Sequence, residues 1–451
     1  MEGVVNGVRF NKGEREYLLT DGKEEYRILS TELLAPGMCL GLEGEAAPNL
    51  RIIPKSIEII SDQREQKIYE RVKSNAKATA KISSAPVLVS DEVIGRLWPA
   101  LREAALELLC AKKLGREVLL RFHGDADGIC GAFALTSIIN CKTYQQNSAV
   151  YTVRDALKDV AAIGQENRPL IVLLDFGSGD ACLEGLDLLR AGGIQVIVVD
   201  HHPLASTGGH FVVNPLKVSE NASKYTAGYL ACEIAVACGL ELKRGMELAR
   251  VACSGDKSDI LETGTDEAEK ALVLDFLAAH ASFGNNLEFY RNVMAKQELF
   301  SSIAHQAKES IDDAAKKASA TMKTTKTGGL EIVTLPLERI VTKGEWPPSG
   351  KITTRVYEMV AENVREKPVL CIGYNDRSLI IRINDAATTL GLNANDLAER
   401  IKKSMADFVE GGGGHAKAGA IRVKSGFVKE VLGELIREAT TVSLGNKRGE
   451  R

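Results

Sequence analysis

The sequence predicts an α/β protein: a parallel-sheet lobe, a smaller α/β lobe after it and a small β-barrel-like domain ahead of it. Three observations carry this. Between about residues 115 and 256, short apolar runs alternate with helical segments, the pattern of a parallel sheet with helices on both faces. Three of those runs close on Asp, or on Asp plus His, at the strand ends where open α/β sheets hold ligands. A chain of 451 residues also exceeds one ordinary domain.

Residues 1–60 carry β-like segments at Gly3–Phe10, Glu16–Leu19, Glu25–Ile28, Met38–Leu42 and Arg51–Ile53. The turns Asn11-Lys12-Gly13, Asp21-Gly22 and Pro36-Gly37 separate them, a spacing that suits a small barrel of the oligonucleotide-binding or a related type. Few aromatics stand there for base stacking, so this domain either contacts nucleic acid or only caps its neighbour. From Ile59 to Ala80 the pattern turns helical and charged, and the small residues of Ser74–Ser84 read as a linker. Ser90 and Asp91 then cap a helix to about Lys113, with Pro99 predicting a kink or break within it.

Strands are expected at 117–122, 148–152, 170–175 and 195–200. The helical stretch Thr265 to about Lys323 connects two lobes. Beyond it, Gly329–Leu335, Val369–Tyr374 and Leu379–Ile383 read as strands, and Ala394–Val409 and Gly426–Ala439 as helices flanking a glycine-rich loop. The domain boundaries follow: 1–60, 61–264, 265–324 and 325–445.

The chemistry concentrates at the strand ends. Val118-Leu119-Leu120 leads into His123-Gly124-Asp125-Ala126-Asp127-Gly128, Ile171-Val172-Leu173-Leu174 ends in Asp175, and Val196-Ile197-Val198-Val199 ends in Asp200-His201-His202. An Asp after an apolar run is often a mere helix cap. Three together, two with histidine, point to one metal site, because buried carboxylates without a cation are costly.

At these residues the sequence resembles the DHH phosphoesterase family, named for the triplet Asp200-His201-His202. Further matches are the first motif at 123–128, the second at Asp175 and the fourth at Val251-Ala252-Cys253-Ser254-Gly255-Asp256. The run Gly411-Gly412-Gly413-Gly414-His415-Ala416-Lys417-Ala418-Gly419 resembles the signature of the family's associated C-terminal domain. The resemblance implies a DHH domain over 61–264 with a linker helix, and a substrate-binding domain over 325–445. It also implies two Mn²⁺ (or Mg²⁺) ions. Asp175 would bridge them, with His123 and Asp125 on one and Asp127, His201 and Asp256 on the other. Asp200 would orient a histidine. His202, Arg382, Gly412, Gly413, Gly414 and His415 would bind substrate, and Asp175 and His202 would serve catalysis. The segments Asn214-Pro215 and Tyr225–Tyr229 resemble the RecJ branch, although that branch commonly has Asp at the position of His123.

The implied activity is a RecJ-like exonuclease on single-stranded DNA or RNA, from the 5′ end, with replication or repair proteins as partners. The alternatives are a small-substrate phosphohydrolase (oligoribonuclease, nucleoside bisphosphate phosphatase or cyclic-dinucleotide phosphodiesterase) and a replication scaffold. Composition bounds these readings. A net charge of −3 offers no global nucleic-acid signal, so an anionic strand would need a local groove. No apolar run is long enough for a membrane span and no secretory pattern is visible. Nine cysteines without a C-x-x-C pair fit a reduced, cytoplasmic location.

Overall fold

A computed structural model of the chain describes every residue except 12–13, 165–166, 205–209, 221, 281–286, 328, 343–344, 364–366, 415 and 450–451, and omits the side chains of 11, 362–363 and 445–449. Two compact units divide it, Met1–Gln297 and Glu298–Arg451.

The first unit opens with β1 (Glu2–Asn11), β2 (Glu14–Thr20), β3 (Glu25–Leu29), β4 (Cys39–Ala47) and β5 (Arg51–Ile60), which close into a barrel in the order β1-β2-β3-β5-β4. The expected turn at Asn11-Lys12-Gly13 falls largely outside the described residues. Val5, Tyr17, Leu19, Ile28, Leu40 and Leu42 form one core. Val4, Cys39 and Ile60 form a second with Ile68, Tyr69 and Val72 of α1 (Gln63–Thr79) and with Leu114. The barrel is thus anchored to the helix behind it. α1 runs to Thr79, into the stretch expected as linker. α2 (Glu92–Lys113) is capped by Asp91 and continues unbroken through Pro99. Pro99 and Gly95, the residue whose carbonyl loses its partner, both sit on the exposed face, where water can satisfy that carbonyl.

The parallel sheet is built from β6 (Val118–His123), β7 (Lys142–Gln146), β8 (Leu170–Leu174), β9 (Gln195–Val199) and β10 (Phe211–Val213) in the order β10-β9-β8-β6-β7. α3 (Ala126–Ile138), α4 (Val153–Ile163) and α5 (Leu183–Ala191) link the strands. Leu119, Ile171, Leu173, Val196 and Val198 pack with α4 and α5. The alternate residues face α3 and α6 (Ala227–Ala237), as the approach of Gly131 to Leu174 shows. Chain order reverses between β6 and β8, so their carboxyl ends flank the crevice of a topological switch point. α7 (Leu242–Gly255), α8 (Thr265–His280) and α9 (Leu287–Ala295) complete the unit.

One strand lies elsewhere than expected. The strand after α3 is 142–146, not 148–152. Its two glutamines are buried but bonded, whereas Tyr151 is buried off the sheet with its hydroxyl donating to Asp159 at 2.7 Å.

In the second unit, α10 (Gln297–Ser319) precedes β11 (Lys323–Thr327), β12 (Leu330–Pro336), α11 (Ser349–Asn363), β13 (Val369–Tyr374), β14 (Ser378–Ile383), α12 (Asp385–Thr389), α13 (Ala394–Ser404), β15 (Val409–Gly414), β16 (Ala418–Val423) and α14 (Val428–Gly449). The sheet order is β11-β12-β13-β14-β16-β15. The glycine run is therefore an edge strand and not a loop. Gly412 to Gly414 pair with Ile421 to Gly419, and a Cβ on Gly414 would strike the Ala418 carbonyl. The sequence reading also omitted α11, whose Ile352 and Val356 bury against Val333 and Cys371.

Candidate metal centre

β6 delivers His123 to the switch point, and the chain then turns straight into α3. Asp125 is the N-cap of that helix, its Oδ1 accepting from the Gly128 amide at 2.9 Å. The opposite oxygen lies 2.6 Å from His123 Nδ1. Asp127, in the first turn of α3, is fully buried, and its Oδ1 accepts from the Gly228 amide at 3.1 Å. Glycine is needed at 128 and 228 because a Cβ at either would collide with the backbone of this turn.

β8 ends in Asp175, whose amide donates to the Val199 carbonyl at 2.9 Å and whose φ of 66° is left-handed. Its Oδ2 lies 3.2 Å from His123 Nδ1, and its Oδ1 3.4 Å from His201 Nε2. After β9, Asp200 accepts from the amides of His201 (2.8 Å), His202 (3.1 Å) and Ser178 (2.9 Å) and from His202 Nδ1 (2.8 Å). Burial alone would raise the Asp200 pKa, but these donors, His202 foremost, hold it below the ordinary carboxylate value. Asp256 ends α7, with Oδ2 3.1 Å from His201 Nε2.

The ligand atoms of His123, Asp125 and Asp175 lie within 4.8 Å of one another, as do those of Asp127, His201 and Asp256, and of Asp175, His201 and His202. Burial, then Asp175 and Asp256, drive the Asp127 pKa well above the ordinary value, and burial and Asp125 raise that of Asp175. Burial would lower the His123 and His201 pKa values, but the surrounding carboxylates raise both.

Five buried polar side-chain atoms lack a hydrogen bond among the described residues, and three of them meet here: Asp127 Oδ2, Asp175 Oδ1 and His201 Nε2. The His201 Nδ1 faces the Ser223 carbonyl at 2.7 Å, so in the neutral ring that nitrogen carries the proton and Nε2 can offer its lone pair to a cation. Carboxylates and imidazoles without a thiolate form an oxygen-rich donor set that fits a hard divalent cation.

Comparison with known proteins agrees with this architecture. Residues 117–255 match the family model described as DHH family, N-terminal domain. Those residues carry a DHH-type N-terminal domain. An uncharacterized protein of Methanocaldococcus jannaschii is 26% identical over 464 residues, covering 88% of this chain, and this chain spans 58% of that protein's length. Among solved structures, the DHH domain of a member of the s1p family of ribosomal proteins is similar at TM-score 0.68 and 24% identity, covering 84% of this chain and 98% of that one. RecJ of Thermus thermophilus, in complex with Mn²⁺, gives TM-score 0.51 at 15% identity over 84% of this chain and 59% of that one.

Sequence reasoning missed several residues that shape the DHH centre. Ser178 and Asn214 brace the triplet: Asn214 Nδ2 donates to Ser178 Oγ and to the His202 carbonyl, both at 3.0 Å. The Asn-Pro turn was the available signal for Asn214. Ser223 and Asp275 carry no sequence signal, since each acts through contacts remote in sequence. Asp259, three residues past Asp256, is an exposed bend residue beside Lys224.

The remaining predicted residues belong to the second unit. Arg382, on β14, donates from Nε to Thr354 Oγ1 at 3.0 Å and from Nη1 to the Ile381 carbonyl at 2.8 Å. Burial lowers its pKa. Gly412, Gly413 and Gly414 lie on β15, with the Gly414 amide donating to Asn395 Oδ1 at 3.0 Å. His415 lies outside the described residues.

Proposed function

We propose that this DHH protein is a divalent-metal-dependent phosphodiesterase that degrades single-stranded nucleic acid as a RecJ-like exonuclease, from the 5′ end. The observation that carries the reading is that Asp127 Oδ2, Asp175 Oδ1 and His201 Nε2 are buried without a hydrogen bond among the described residues, His201 sharing one ligand group with Asp127 and another with Asp175. The Mn²⁺ in the similar RecJ structure supports Mn²⁺ or Mg²⁺ as the cation. His123 and Asp125 would hold one ion, Asp127, His201 and Asp256 the other, and Asp175 both. Such a pair would supply Lewis acidity to a phosphate oxygen and lower the pKa of water.

The protein's own groups then have distinct tasks. Asp200 accepts from His202 Nδ1 and fixes the ring, leaving Nε2 to meet a phosphate oxygen or the leaving group. Burial lowers the His202 pKa, but Asp200 more than offsets this and raises it, so the ring holds a proton it can donate. Arg382 offers a half-buried guanidinium suited to a phosphate of the strand.

The test uses purified protein, Mn²⁺ and end-labelled DNA and RNA strands in a length series at two salt concentrations. A strand-binding enzyme loses affinity steeply with salt, because it releases several counterions. Asp175→Asn should reduce hydrolysis by ~10³-fold or more. Near-normal Mn²⁺-dependent turnover by a folded Asp175→Asn variant would refute the metal reading. A wild-type enzyme active only on dinucleotides would instead favour a small-substrate phosphohydrolase.

A further inference from the structure

Asp275 stands on α8, 149 residues from Ala126 in sequence, yet its Oδ1 accepts the Ala126 amide at 2.8 Å. Ala126 is the first residue of α3, and its N–H is one of the helix-start donors that no carbonyl of the helix can reach. It also lies between Asp125 and Asp127, so this bond pins the peptide that joins two carboxylates of the centre. Asp125 caps the helix from one side through Gly128, and Gly228 holds Asp127 from another. Asp275 is the third brace, and it comes from an element that supplies no member of the ligand groups found among the described residues.

Resting on the metal-dependent reading above, we infer that Asp275 is a positioning residue for the turn Asp125-Ala126-Asp127. It sets the spacing of the two carboxylates by holding the backbone between them and does not itself hold a cation. Its negative charge at the start of α3 also complements the helix dipole. Partners of this kind, one bond removed from a ligand, typically govern metal affinity by 10–100-fold.

The experiment is a Mn²⁺ titration of the full chain, read from the electron paramagnetic resonance signal of the free ion, with thermal unfolding followed in parallel without metal. Asp275→Ala should weaken Mn²⁺ binding by about 10–100-fold. Asp275→Asn, whose amide oxygen still accepts from Ala126, should keep the wild-type affinity. Unchanged Mn²⁺ affinity in Asp275→Ala, with or without a lower melting temperature, overturns the positioning role. So does an Asp275→Asn variant as weak as Asp275→Ala, since the charge and not the bond would then matter. A wild-type chain that takes up no Mn²⁺ would overturn the metal-dependent reading itself, and that is seen before any variant is compared.

Discussion

Gly228 packs directly on Asp127, and a single methyl there should damage fold and site together. It is the second residue of α6, with its amide on Asp127 Oδ1. A Cβ built on it would lie 2.7 Å from that same Oδ1, 2.8 Å from Ala252 Cβ, and nearer still to the Asp127 carbonyl. Two of those neighbours are fixed by the backbones of α3 and α7, so a helix must move and not merely a side chain. Overpacking of this sort costs about 1–3 kcal/mol. The better helix propensity of alanine returns at most ~1 kcal/mol. Gly228→Ala should therefore lose roughly 1–2 kcal/mol of stability. Displacement of Asp127 should also weaken Mn²⁺ binding by about tenfold or more. Denaturant unfolding and a Mn²⁺ titration measure the two effects. Gly433→Ala on α14, where a Cβ meets nothing within 4 Å, is the control and should be neutral or stabilising. A Gly228→Ala protein that unfolds and binds Mn²⁺ like the wild type would refute the argument.

Two further perturbations separate substrate binding from stability. Arg382→Ala should raise KM by about 10–100-fold, the worth of a charge-assisted hydrogen bond, while Mn²⁺ stoichiometry stays unchanged; loss of bound metal would contradict its assignment to substrate. Glu107 on α2 is buried, which would raise its pKa, but bonds from Lys77, Gln195 and Lys73 lower it from 4.5 to about 2. Its folded-state pKa is depressed, so its stabilisation is full above pH 4.5 and fades as the pH falls toward 2. Glu107→Gln should thus cost up to about 3 kcal/mol at neutral pH and nothing near pH 2; a pH-independent difference in unfolding free energy would contradict this.

The strand ends of the DHH domain were readable because short apolar runs lead into Asp or His, and the backbone there has one direction to go. The polar strand 142–146 was not, since Gln145 and Gln146 are buried through bonds to Tyr290, Val150 and others that no local pattern announces. The glycine run misled for the opposite reason: its composition favours a turn, and only the ladder with β16 makes it a strand. At the centre itself, the carboxylates and histidines announced themselves by motif. What orients them did not, because the Ser223 carbonyl, Ser178 and Asp275 reach the site through tertiary folding alone.

The left-handed backbone at Asp175 sets durability against chemistry at one residue. Asparagine accepts that conformation as readily and carries no charge to bury, and glycine has no Cβ to strain. Either replacement would relieve the metal-free fold of a carboxylate crowded by Asp125 and desolvated by its surroundings. Either would also remove a carboxylate shared by two of the candidate ligand groups. A search for heat-resistant variants scored on melting alone would dismantle the centre here first, and report success.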